Sequence, residues 1–167
     1  MLIWLKNQGK VRYRTFQLRY LQAFGGKGIT HVGKVGCGHA VKAVNNTLNT
    51  LHLLLATESV AILKRAGVEP EKAADVLARS SGMNLQIRDR LPQEVLSGKY
   101  SYGFALGLMA KDVRICAALL DAVDITDAAL LRQVSPLVHA ACEDNGADAD
   151  YTLVSKYWQE KLETHLP

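Results

Sequence analysis

Lys42 and Asn46 stand four residues apart in the stretch Gly33-Lys34-Val35-Gly36-Cys37-Gly38-His39-Ala40-Val41-Lys42-Ala43-Val44-Asn45-Asn46. At about 3.6 residues per turn, such a pair lies on one helix face, with Cβ atoms roughly 5–6 Å apart. An amine that trades a proton and a neutral amide that holds an oxygen would then point into the same space. That is equipment for proton transfer at a hydroxyl or carbonyl held between them. Taken alone, Lys42 reads as a solvated surface charge, and a cation near a helix N-terminus opposes the macrodipole. A residue kept against such a local preference is a candidate for function. A positive local potential and a partly dry cleft both favour the neutral, basic form of an amine. Asparagine is a mediocre helix former, so two in succession inside a helix also call for a reason. Asn46 is assigned with Lys42 as the catalytic pair, donating to a substrate oxygen without adding charge. Asn45 points about 100° away, towards packing or a domain junction. Gly33, Gly36 and Gly38 would let the backbone pass close to substrate or to a neighbouring domain, a flexible hinge being the plainer reading.

A second stretch, Phe104-Ala105-Leu106-Gly107-Leu108-Met109-Ala110-Lys111-Asp112, carries an adjacent lysine and aspartate. By itself such a pair on a helix reads as surface charge. The two stretches have the forms G-x-x-G-x-G-x-x-x-K-x-x-N-N and F-x-L-x-L-x-x-K-D. In these the sequence resembles the β-hydroxyacid dehydrogenase family, which includes 3-hydroxyisobutyrate dehydrogenase, tartronate semialdehyde reductase and, more distantly, 6-phosphogluconate dehydrogenase. The resemblance runs from about Leu21 to Leu162.

The resemblance implies an all-α, multi-helix domain of the 6-phosphogluconate dehydrogenase C-terminal type. It implies reversible oxidation of a small hydroxy acid with NAD or NADP as cofactor. Lys42 would take the proton from the substrate hydroxyl, and Asn46 would orient the substrate. Asn45, Gly38 and Asp112 would belong to the substrate side, while Lys111 and Phe104 would face the cofactor, Phe104 reading equally as core. A homodimer in the cytoplasm follows from the same likeness. The family's N-terminal dinucleotide domain opens with strand–GxGxxG–helix, and no G-x-G-x-x-G occurs in these 167 residues. The expectation is a helical substrate and dimerisation domain at 31–167, behind a lead-in at 1–30 left from a junction. The chain would be truncated or frame-altered, and silent as a catalyst alone. The rival reading is a non-catalytic helical oligomerisation module.

These side chains need helices to position them, and apolar periodicity supplies the candidates. Val41, Val44, Leu48, Leu51, Leu55, Ser59 and Ile62 mark one predicted core face of a helix running from about Ala40 to Ala66. Gly67 is its expected C-cap, with Lys64 and Arg65 in the last turn. Pro70 suits the first position of a second helix, to Ala78, with Glu69 and Glu71 at its positive end. Asn84 caps a short helix to Arg90, Pro92 sets a new turn, and Leu96 to Tyr102 reads as irregular. A fourth helix spans about Ala105 to Val123, with Leu108, Val113, Ile115, Cys116, Leu119 and Leu120 on its apolar side. A fifth, Asp127 to Asp144 capped by Thr126, should kink or split at Val134–Ser135 ahead of Pro136. Gly146 closes it, and Asp150-Tyr151-Thr152 introduces a last helix to about Leu162.

With 49% hydrophobic and 22% charged residues, the chain has the balance of one soluble domain able to bury a core. The longest apolar stretch, around Leu51 to Leu55, is broken by Thr57, Glu58 and Ser59 and is too short to span a bilayer. Residues 1–30 hold six basic side chains and no acidic one; the remaining 137 residues have fourteen basic against sixteen acidic. The net charge of +4 therefore belongs to the start of the chain, and a nucleic-acid role for the body is not expected. Three cysteines without a CxxC read as reduced thiols, and the five histidines show no metal spacing, so no metal is expected.

Overall fold

The computed structural model describes residues 30–167. The basic lead-in and most of Leu21–Gly33, for which a last helix and strand were expected, lie outside them. Six helices occupy the described residues. They are α1 (Cys37–Arg65), α2 (Pro70–Ala78), a π-helix (Gln86–Leu96), α3 (Leu106–Ala122), α4 (Ala129–Asn145) and α5 (Leu153–Lys161). No strand joins them; an isolated antiparallel bridge links Ala105 and Asp150. The expected all-α class holds for these residues. None of the described helices is long and apolar enough to cross a membrane.

The chain divides into two compact units, Met1–Lys42 and Ala43–Pro167. In the described part of the first, Gly33 and Gly36 take φ of +125° and +96°, a region that L side chains avoid. The Gly36 carbonyl accepts from Ala40 N at 3.0 Å, and Lys34 O from Cys37 N at 3.1 Å, which starts the helix. Gly38 is already helical and buried.

In the second unit, α3 packs on α4, α4 on α5, and α2 on the π-helix. Leu53, Val60, Leu91, Val95, Leu106, Met109, Val113, Val134, Val138, Tyr151 and Val154 form its fully buried core. Each such aliphatic side chain contributes roughly 1.5–3 kcal/mol on removal from water. Most helix ends follow the punctuation of the sequence, although α4 opens behind Ala128 with no side-chain cap bond and not at the expected Thr126 cap. Gly67 takes φ +90°, and Val68 N reaches back to Leu63 O at 2.9 Å, the six-to-one bond of a Schellman end. Pro70 opens α2 and Gly146, at φ +89°, ends α4. Asn84 Oδ1 accepts from the amides of Gln86 and Ile87 at 2.9 and 3.1 Å, the expected cap.

Several expectations fail. The face of α1 marked by Leu48, Leu55 and Ile62 is 42%, 47% and 63% exposed, while Ala43, Thr47, Thr50, Leu53, Leu54, Thr57, Val60 and Ala61 are buried. The physical reason lies in the threonines. Thr47, Thr50 and Thr57 donate to the carbonyls of Ala43, Asn46 and Leu53 at 2.9–3.0 Å, so their hydroxyls need no outside partner. They then pack as small apolar residues, so a count of large aliphatics, of which Leu51 does pack against the core, misses much of the buried side. On α3, likewise, Val113, Cys116 and Leu120 are buried but Leu108 and Ile115 are 49% and 43% exposed.

Prolines also end fewer helices than expected. The helix does not split at Val134–Ser135, since Pro136 lies inside the single helix α4, and Pro92 lies inside the π-helix, which replaces both the short helix to Arg90 and the turn after it. A single lost backbone bond is outweighed here by the burial of Val134, Val138, Leu91 and Val95 on the faces these helices present to the core.

The start of α3 is pressed against the end of α4. Gly107 N donates to Ala147 O at 2.8 Å, and a Cβ on Gly107 would stand 2.9 Å from Ala147 Cβ and 3.1 Å from its carbonyl oxygen. Gly107→Ala is therefore expected to destabilise the protein by about 1–3 kcal/mol, read from the urea midpoint, although alanine is the better helix former. An unchanged or raised midpoint would contradict this close approach.

Candidate functional site

Asp112 is the centre of the site. It lies in the first half of α3, 3% exposed, where a carboxylate is costly unless charged or polar groups surround it. Asn46 Nδ2, on α1 and 66 residues away in sequence, donates to Asp112 Oδ2 at 2.6 Å. The half-exposed ammonium of Lys111 stands 3.0 Å from Asp112 Oδ1. One carboxylate therefore gathers the amide of the first motif and the lysine of the second. Asn45, exposed on α1, donates to Asn46 Oδ1 at 3.4 Å, which fixes which end of the Asn46 amide faces Asp112. Its side chain supports Asn46 instead of turning wholly away.

Lys42 lies on the same helix, as the last residue of the first unit, and is exposed. Gly38 is a buried backbone position in the first turn of α1. Phe104 is half-buried against the core, with its ring edge-on to Tyr151 at 5.9 Å. Among the described residues no group of histidine, cysteine or acidic side chains could hold a metal ion.

A second polar chain begins one turn further along α1 and has no counterpart in the sequence reading. Asn49 Oδ1 accepts from Gln86 Nε2, and the Gln86 carbonyl oxygen accepts from the Tyr151 hydroxyl at 3.5 Å. Burial pushes the Tyr151 phenol above its usual range, an effect eased by a hydrogen bond from Asn49 and by the charge of Arg90. The Tyr102 ring stands edge-on to Tyr151 at 5.5 Å, and the Arg90 guanidinium lies 3.7 Å over the Tyr102 ring. The loop carrying Tyr102 is tied down by Asp150, whose carboxylate accepts from Gly103 N at 2.7 Å and from Thr152 N and Oγ1 at 3.0 and 2.6 Å. Asn49 follows Asn46 by three residues and was open to recognition as a third amide on that side of the helix. Gln86, Arg90 and Tyr151 gave no such signal, because isolated polar residues are mostly surface.

Residues 36–158 match the family model described as the NAD-binding domain of NADP-dependent 3-hydroxyisobutyrate dehydrogenase. The chain belongs to this family of dehydrogenase domains. It is 34% identical over 88 residues to 2-(hydroxymethyl)glutarate dehydrogenase of Eubacterium barkeri, covering 53% of this chain and 29% of that protein. It is 28% identical over 144 residues to 3-hydroxyisobutyrate dehydrogenase of Pseudomonas aeruginosa, covering 81% and 48%. Its fold matches that of Mycobacterium tuberculosis 3-hydroxyisobutyrate dehydrogenase, a structure with L-serine, at a TM-score of 0.76 and 21% identity, over 89% of this chain and 52% of the other. The chain thus spans at most about half the length of these relatives. A nicotinamide dinucleotide is the cofactor implied for the full enzyme.

Removing the Asp112 carboxylate strands the Asn46 amide in a half-buried position. Asp112→Ala is expected to destabilise the protein by about 1–3 kcal/mol, while Asp112→Asn, which keeps an acceptor oxygen, should recover part of that loss. Chemical denaturation of the two variants checks the order; equal stability of Asp112→Ala and the parent would contradict it.

Proposed function

We propose that this chain forms the substrate side of an NAD(P)-dependent dehydrogenase acting on a small 3-hydroxy acid. What carries the reading is the Asn46–Asp112–Lys111 cluster, in which two short motifs far apart in sequence meet at one buried carboxylate. In oxidation Lys42 takes the proton of the substrate hydroxyl, and in reduction it returns it to the carbonyl oxygen. Asn46 spends one N–H on Asp112 and has a second to donate to that oxygen, adding no charge that would compete for the proton. Asp112 holds both Asn46 and Lys111 in place, and Asn45 sets the flip of the amide. Lys111 would supply a half-exposed cation and Phe104 an apolar ring to one wall of a nicotinamide site. When bound, the dinucleotide supplies the hydride acceptor. The sequence has no G-x-G-x-x-G bed for it, so the 167 residues alone are expected to turn over no hydroxy acid.

The test joins this chain to the nucleotide-binding half of the Pseudomonas aeruginosa relative and follows reduction of NAD by 3-hydroxyisobutyrate. Lys42→Ala, at an exposed position, should lower kcat by about 10²–10⁴-fold without changing the unfolding midpoint. Retention of full activity by that variant would remove the base from the scheme.

Self-association completes the proposal, and a distinct observation supports it. Leu48, Leu55 and Ile62 recur every seven residues along α1 and are 42–63% exposed, a spacing suited to helix–helix contact. Sedimentation should show a homodimer that Leu55→Lys dissociates with no loss of folding; a strict monomer for the parent chain would count against both the dimer and the oligomerisation-module alternative.

A further inference from the structure

We propose that Arg90 binds a second carboxylate, remote from the reacting hydroxyl, and so selects hydroxy diacids over hydroxy monoacids. This inference rests on the hydroxy-acid reading above and names the substrate class of that same site.

The Arg90 guanidinium carbon lies over the Tyr102 ring, 3.7 Å from its centroid. Stacking of this kind covers the flat face of the cation and leaves its N–H donors pointing outward in the plane, the arrangement that grips a carboxylate with two hydrogen bonds. Among the described residues no side chain takes those donors. The adjacent carboxylate, Asp89, is held by Arg88 through two bonds, at 2.8 and 2.9 Å. The nearby Asp150 carboxylate is occupied by the amides of Gly103, Phe104 and Thr152 and by the Thr152 hydroxyl. A half-buried guanidinium with both neighbouring acids engaged elsewhere is a cation held ready for an anion from outside the chain.

Its position ties it to the candidate site through Gln86. Arg90 follows Gln86 by four residues on the π-helix, and Gln86 reaches Asn49 on α1, one turn beyond Asn46. In a helix whose bonds run five residues back, positions four and five apart share a side. Tyr102 beneath Arg90 also packs edge-on to Tyr151, whose hydroxyl bonds the same Gln86. The hydroxyl end of a substrate at Asn46 and an acidic tail at Arg90 would thus be set by one hydrogen-bonded scaffold, in which Gln86 and Tyr151 lie buried beneath the surface and Asn49 joins them to α1. A monoacid leaves Arg90 without a partner; a diacid fills it.

3-Hydroxyisobutyrate and 2-(hydroxymethyl)glutarate form a matched pair, since the second carries a carboxyethyl group where the first has a methyl. Each is titrated into the full 167-residue chain, with nitrogen-15 NMR following the Arg90 Nε–H signal and the Asn46 side-chain amide. The expected result is movement of Asn46 by both acids and of Arg90 by the diacid alone, with the diacid bound about tenfold more tightly. Arg90→Met should abolish that tenfold preference while leaving monoacid binding unchanged, and Arg90→Lys, which keeps the charge without the fork, should retain only part of it. Far-ultraviolet circular dichroism establishes that both variants fold. Equal affinity for the two acids, or a preference that survives in Arg90→Met, overturns this inference and leaves the hydroxy-acid reading standing. Movement of Arg90 by the diacid with Asn46 silent towards both acids overturns the hydroxy-acid reading and leaves an isolated carboxylate site. Silence of both signals towards both acids overturns the two together.

Discussion

The buried carboxylate of Asp112 is the constraint around which the second unit is organised. A carboxylate at 3% exposure needs donors on the spot, and here they come from two directions: an amide on α1 and the ammonium of its own neighbour on α3. The Asn46 bond crosses between helices distant in sequence, so it fixes their register at the end where the motif side chains lie. An amide suits this post better than a second cation would. It satisfies the carboxylate, keeps an N–H for another acceptor, and adds no charge of its own.

The buried polar groups of the second unit are satisfied in an orderly way. Threonine hydroxyls along α1 bond their own helix, Gln86 and Asn49 bond each other, and Gln159 accepts from Leu166 N at 2.7 Å while donating towards Tyr100. Among the described residues, Trp158 Nε1 stands out as a buried side-chain polar atom with no partner. Satisfied buried networks specify one arrangement more sharply than aliphatic packing does, because any slip leaves a group unpaired. The same logic closes the far end of α1. There Lys64 Nζ donates to His165 O, and the Arg65 guanidinium donates to Thr164 Oγ1 and Leu162 O, which pins the last residues and buries Leu166. The cations expected to favour the α1 dipole therefore also act as clasps for the chain's end.

Much of the local architecture was legible because single residues with strict backbone demands mark it. Gly67, Pro70, Asn84 and Gly146 each sit where their φ preference or capping oxygen is used, and the helices between them run close to where apolar periodicity puts them. The meeting of Asn46 with the Lys111–Asp112 pair was foreshadowed only by the resemblance, since neither spacing nor composition relates two motifs 66 residues apart. Prolines misled in the opposite sense: the rule that they end helices counts one lost bond and one clash, and burial of the flanking valines and leucines overrode it in α4 and the π-helix.

By itself the sequence determined where helices start and stop, that the described part is all-α, and which short motifs carry an amine, amides and a carboxylate. These are local properties, set by backbone preferences and by spacing along one helix. Tertiary structure alone decided which face of α1 is core, because a threonine becomes apolar only once its hydroxyl is satisfied and a neighbour packs over it. It alone joined Asn49, Gln86, Tyr151, Tyr102 and Arg90, since contacts between elements depend on packing geometry that no periodicity encodes.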